Sequence, residues 1–266
     1  YEALFQRVGI ISVTNPSQLL ETLKFLCVVG APQGKQVVGF TCSGGGATML
    51  ADHAEKIDLI FPEFKTTQET ELSALLPDIA TVSNPLDYTT PIWGQEEMTY
   101  PVFAKAISAI EADTAVLVQD YPAAEIDSSK VYYRADAMAF ARASKEQGLP
   151  AIICATLPEN MDLDTRQLLI TKGVAPMQGI HEALNAIRDS ADWNQARSRI
   201  LSEKPEYLLP SYPSGEQKVM PENDSKRWLI NHNFNVPNGK TVSPHKLGEA
   251  AIEVGYPVAL KMISPR

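Results

Sequence analysis

Short apolar runs alternate with amphipathic stretches along most of the chain. Residues 36–42 (QVVGFTC), 114–119 (TAVLVQ), 150–155 (PAIICA) and 174–177 are near-continuous apolar runs of strand length. Residues 9–13 (GIISV), 57–61 and 79–83 are further extended candidates, with Pro62 and Pro77 making that stretch less regular. Between them lie segments with helical spacing. These are 1–7, the run NPSQLLETLKFLCVV, and residues 47–56, 100–110, 129–147, 162–172 and 180–189. In the fifth of these, Val131, Ala135, Met138, Ala139 and Ala143 form the expected inner side. Apolar strands alternating with helices predict a parallel sheet covered on both faces. Length and strand number suit a flavodoxin-like, doubly wound α/β domain over residues 35–190, entered through a segment at 1–34.

The pattern then breaks. Residues 191–223 are rich in Pro, Ser and charge and read as a linker. From residue 224 a second pattern starts. A helix over 225–233 is followed by a turn and strand (NVPNGKTV), a helix over 244–254 and a strand, YPVALKMI. The chain starts in a helical pattern without Met and stops just after that strand, so a piece of a longer protein is expected.

Composition narrows the function. The chain has 266 residues, 44% hydrophobic and 21% charged, with a formal net charge of −9. That charge argues against nucleic acid or an anionic membrane as the main partner, though it leaves room for a local phosphate pocket. Cys27, Cys42 and Cys154 are widely spaced and give neither a metal pattern nor a disulfide framework. They fit a reducing cytoplasm. There is no membrane-length apolar run and no visible signal peptide.

The candidate chemistry centres on TCSGGGATML, where a strand runs into a glycine triplet and a helix. In a doubly wound sheet the ligand crevice lies beyond the carboxyl ends of the strands. The amides of Gly45, Gly46, Ala47 and Thr48 are expected as unpaired first-turn donors, reinforced by the helix dipole. With Gly44 and the hydroxyls of Ser43 and Thr48 they describe an anion site. The plain alternative is a tight turn that needs glycine for packing. The stretch has neither the GxGxxG nor the GK[ST] pattern, and no G-x-S-x-G elbow. Asn84 and Asp87 in SNPLDYTT follow a strand end, and the plain reading there is a capped turn. His53, His181, His232 and His245 show no metal-ligand spacing, so no metal is expected on them. Lys261 interrupts an apolar strand and reads either as a snorkelling edge lysine or as a phosphate-binding one.

Taken together and in order, these motifs resemble the NDP-forming acyl-CoA synthetases, the family of ADP-forming acetyl-CoA synthetase, related to succinyl-CoA synthetase. The resemblance rests on GFTCSGGGATMLADHAEK, ATVSNPLDYT, GLPAIICATLPENM, LLITKGVAPMQGIHEALNAI and GYPVALKMISP, and covers nearly the whole chain. It implies a second flavodoxin-like ligase domain and the start of an ATP-grasp module at 224–266. The implied reaction joins a small carboxylic acid, CoA and ATP (with Mg2+) into acyl-CoA, ADP and phosphate. It runs through an acyl phosphate and a phosphohistidine. The phosphorylated histidine belongs to an upstream motif that this chain lacks, so the chain supplies no catalytic residue and is expected to be inactive by itself. By resemblance, Ser43, Gly44, Gly45, Gly46, Ala47 and Thr48 receive the phosphohistidine, Asn84 and Asp87 support them, and Lys261 contacts ATP. The implied partners are other domains of the same enzyme, and self-association stays open. Two other readings remain at this stage. One is the synthetase-like regulatory region of a protein lysine acetyltransferase. The other is a non-catalytic flavodoxin-like binding domain.

Overall fold

A computed structural model describes residues 1–122, 128–203 and 219–263. The chain divides into two compact units, Tyr1–Glu206 and Tyr207–Arg266. The first unit opens with α1 (Glu2–Val8) and α2 (Pro16–Val28), then β1 (Val37–Thr41) and α3 (Gly44–Lys56). It continues with α4 (Thr66–Ser73), β2 (Leu86–Asp87), α5 (Glu96–Ala109), β3 (Thr114–Val118), α6 (Lys130–Glu146) and β4 (Ala151–Ala155). It closes with α7 (Leu163–Thr171), β5 (Ala175–Gln178) and α8 (Ile180–Glu203). The second unit contains α9 (Glu222–Asn231) and α10 (Leu247–Val254).

The five strands form one parallel sheet in the order β2-β1-β3-β4-β5, the α/β architecture expected from the apolar runs. Every residue of β1, β3 and β4 is buried, because helices cover both faces. Val38, Phe40, Ala115, Leu117, Ile153 and Ala155 point to one face, against α4, α5, α6 and α7. Val37, Val116, Ile152, Cys154 and Met177 point to the other, against α2, α3 and α8. Phe40 anchors the first face, with its ring edge-on to Phe103 at 5.0 Å and to Phe140 at 5.9 Å. Burying one such ring stabilises the fold by about 2–3 kcal/mol.

Several expected elements differ. Residues 9–13 form no strand, since Gly9 ends α1 in a left-handed turn (φ 70°) and Ile10 stays exposed. Residues 57–61 and 79–83 form no ladders either, because the outer edge of β1 is divided among short pieces. Ile60 makes one bridge to Gln36, the Asn84 side chain covers the middle, and β2 pairs only with Phe40 and Thr41. In α6 the inner side is rotated from the expected one. Val131 is exposed, while Asp136, Ala139, Phe140 and Ala143 are buried, because Phe140 is drawn onto Phe40. Helix α8 runs through to Glu203, so residues 191–203, expected within a linker, are helical; residues 204–218 lie outside the described ones.

In the second unit only Ala250 is a buried hydrophobic among the described residues. Residues 235–242 and 256–263 pair with no strand there, although their sequences favour extended backbone. No described helix is long and apolar enough to cross a membrane.

Candidate functional site

The strand order reverses between β1 and β3, which places a crevice at their carboxyl ends. Helix α3 begins in that region, directly after β1. Ser43 is its N-cap, with extended backbone (φ −148°, ψ 126°) and no side-chain capping bond. Gly44, Gly45 and Gly46 are its first three residues, so the triplet is helical and not a loop. Their amides meet no acceptor among the described residues, whereas the Ala47 amide donates to the Ser43 carbonyl at 3.1 Å. The free donors therefore lie one residue earlier than the sequence suggested. The Thr48 hydroxyl donates back to the Gly44 carbonyl at 3.0 Å, and the Ser43 amide donates to Thr41 Oγ1 at 3.3 Å.

The three glycines are not equivalent. A Cβ on Gly46 would lie 2.5 Å from Thr41 Oγ1, so Gly46 is there for packing. A Cβ on Gly44 or Gly45 would meet nothing closer than 3.7 Å or 3.6 Å, and neither residue has positive φ. Both are exposed. Glycine in a helix costs about 1 kcal/mol relative to alanine. Nothing inside the unit requires it at these two positions. Two bare residues with free amides at a positive dipole end suit the close approach of an external anion.

The end of β2 faces this turn. Asp87 Oδ2 would sit 3.7 Å from a Cβ on Gly44, and Asp87 Oδ1 accepts the Thr89 amide at 3.0 Å. Thr89 has φ 66° and ψ 154°, a region occupied almost only by glycine. Its hydroxyl is buried with no hydrogen-bond partner among the described residues. Asn84, expected beside the site, is instead built into the sheet. Its Oδ1 accepts the Gly39 amide at 2.9 Å, and its Nδ2 donates to the carbonyls of Val37 (2.9 Å) and Pro62 (3.0 Å).

Behind this edge lies a buried polar cluster that the helical pattern concealed. Asp136 is fully buried and accepts the Tyr88 hydroxyl at 2.8 Å and the Gly94 amide at 2.9 Å. Desolvation outweighs these bonds and pushes its carboxyl up to about 6. The folded state thus holds this proton more tightly than the unfolded chain, whose carboxyl titrates near 3.8. The resulting stability is complete below pH ~4 and is lost as pH rises through ~6, on the order of 3 kcal/mol. Urea titrations across this range should show that slope in the native chain and a flatter profile in Asp136→Asn. Cys42 is pushed up by burial and by the charges of Asp136 and Asp87, which keeps it a thiol and not a nucleophilic thiolate. Gln119 and Tyr121 complete the cluster through a 2.7 Å bond, and Trp93 Nε1 is buried with no hydrogen-bond partner among the described residues.

His53 is nine residues along α3 from Gly44, about 13 Å at 1.5 Å per residue, and burial next to His181 and Lys56 lowers its pKa. Among the described residues no three His, Cys, Asp or Glu side chains come together to hold a metal. In the second unit Lys261 is exposed and pairs with both carboxylate oxygens of Glu222 at 3.0 Å. Lys261 and Lys226 hold the Glu222 carboxyl below its ordinary range. The lysine that interrupts an apolar run thus reaches water and a counter-charge.

No family model matches the chain. Two curated proteins do. One is the acetate–CoA ligase [ADP-forming] II subunit alpha of Pyrococcus furiosus, 27% identical over 96 residues, which are 36% of this chain and 21% of that protein. The other is the acetate–CoA ligase [ADP-forming] II of Archaeoglobus fulgidus, 22% identical over 189 residues, 70% of this chain and 27% of that protein. The matched part is thus about a quarter of the length of these relatives. Among solved structures, PH0766 from Pyrococcus horikoshii OT3 superposes with a TM-score of 0.63 at 20% identity, over 74% of this chain and 44% of that one. The dinucleotide-forming acetyl-coenzyme A synthetase 1 of Ca. Korarchaeum cryptofilum, in complex with phosphate and ADP, superposes with a TM-score of 0.62 at 17% identity, over 78% and 43%. Sequence and fold therefore point the same way, and what this chain resembles is one part of an ADP-forming acyl-CoA synthetase.

Proposed function

We propose that the chain is a part of an ADP-forming acyl-CoA synthetase in which the first turn of α3 receives the phosphoryl group of a phosphohistidine. The observation that carries this is the pair Gly44 and Gly45, exposed, with free amides and no internal reason to lack side chains. A phosphoryl group at that position would meet three backbone donors and the positive end of the α3 dipole, replacing the hydration it loses on docking. Ser43 adds a hydroxyl that no helix cap consumes. Ala47 and Thr48 shape the turn behind the donors. Asp87 lines one side of the turn and, through the Thr89 amide, holds the strained segment beside it. The histidine, the acid and CoA would come from other domains or a partner subunit. The second unit would supply the opening of the ATP-binding module, with Lys261 exchanging Glu222 for ATP phosphates and Mg2+ arriving with the nucleotide. The cytoplasm is the compartment that the free cysteines suit.

The test is a titration of the 266-residue chain with inorganic phosphate, followed by amide NMR. The resonances of Gly44, Gly45 and Gly46 should shift together, and no acyl-CoA should form from acid, CoA and ATP. Shifts absent from those three amides, or turnover by this chain alone, would refute the reading.

A further inference from the structure

Two metal-ligating side chains outside the α3 first turn come together from different helices. His53 lies in the last turns of α3 and His181 in the first turn of α8. Their rings stack with centroids 4.2 Å apart and planes at 29°. Asn185, one turn further along α8, donates Nδ2 to the His181 carbonyl at 2.9 Å, and the same nitrogen lies 3.3 Å from His53 Nε2. A carbonyl can only accept, so this end of Asn185 is the donor and His53 Nε2 is the acceptor that carries the lone pair. That lone pair accepts the Asn185 N–H from α8, beside the stacked His181 ring, and a bound cation would displace this bond. His181 is exposed.

We propose that His53 and His181 form a two-histidine site for a divalent transition cation of the Zn2+, Ni2+ or Cu2+ class, which clips α3 to α8. Imidazole nitrogens favour these ions over Mg2+ and Ca2+, which take oxygen ligands. Nitrogen-to-metal distances of about 2.0–2.1 Å require the two nitrogens to be roughly 3 Å apart. The site requires the exposed His181 ring to leave its stack on His53 and turn a nitrogen toward His53 Nε2, with water filling the other positions. Glu182 adds a favourable charge beside His53 and Lys56 an opposing one. The clip joins the helix that carries the glycine turn to the longest helix of the unit. It would raise stability in proportion to occupancy, since the unfolded chain does not hold the two rings together.

The experiment is calorimetric and thermal titration of the chain with NiCl2 alone, in a Cys27→Ser background so that the exposed thiol does not compete. One site should titrate, and Tm should rise by several degrees. His181→Ala, an exposed substitution, should weaken binding by about tenfold or more and abolish the rise. His53→Ala should do the same, whereas His232→Ala, His245→Ala and MgCl2 should change nothing. No binding at millimolar Ni2+ overturns the proposal, as does a Tm rise that survives His181→Ala. The His181→Ala result decides even where His53→Ala fails to fold.

Discussion

If the first turn of α3 receives a phosphohistidine as proposed, replacing Gly45 with valine in a polypeptide that carries that histidine will leave the fold intact and reduce phosphohistidine formation from labelled ATP by about 100-fold. The fold survives because a Cβ at position 45 meets only Ser43 Oγ, at 3.6 Å, and the backbone there has no positive φ. A surface substitution of that kind changes stability by about 0.5 kcal/mol or less. On that proposal labelling falls because the branched side chain stands over the amides that the phosphoryl group would approach. Losing one preorganised donor to a developing or transferring charge costs about two to three orders of magnitude in rate. Gly46→Val is the contrasting variant. It forces a Cβ to 2.5 Å from Thr41 Oγ1, so it should unfold more readily and lose labelling for that reason. Urea unfolding separates the two cases. Normal labelling in a folded Gly45→Val protein would remove α3 from phosphoryl transfer.

The strands of the sheet were legible because a sheet covered on both faces needs unbroken apolar runs, and β1, β3 and β4 have them. The outer edge of β1 was not legible. It is filled by one bridge, one amide side chain and a two-residue strand, and none of these has a period to detect. The glycine turn is legible from its position after β1, but the sequence pattern puts its donors one residue late. Glycine is a poor helix former, so the pattern starts the helix after the triplet, whereas the structure starts it at Gly44. The end of α8 is illegible for a related reason. After Ala191 its residues are mostly exposed and polar, and such a helix has the composition of a linker. Asp136 was hidden because one carboxylate within an amphipathic pattern looks solvent-facing until Tyr88 and Gly94 are brought to it.

Asn84→Ala should destabilise the first unit by about 3 kcal/mol, although the sequence offered Asn84 as a neighbour of the anion site. One side chain here does the work of a strand. It satisfies the Gly39 amide and the Val37 carbonyl within β1 and reaches the Pro62 carbonyl on the other side. β1 is buried along its whole length, so the groups that Asn84 releases cannot all turn to water. A buried polar group left without a partner costs about 1–3 kcal/mol, and the partial exposure of Asn84 softens the total. The charged variant separates lost bonds from lost packing. Asn84→Asp keeps the acceptor for the Gly39 amide but turns a carboxylate toward two carbonyl oxygens. Its carboxyl should therefore hold a proton more tightly in the folded state than in the unfolded chain. Asn84→Asp should then be less stable than Asn84→Ala at neutral pH and recover part of the difference as pH falls below about 5. Urea midpoints for both variants at two pH values test this directly. Equal midpoints for Asn84→Ala and the native chain would show that the bonds along β1 are dispensable. In that case β2 and the Ile60 bridge would hold the outer edge of the sheet.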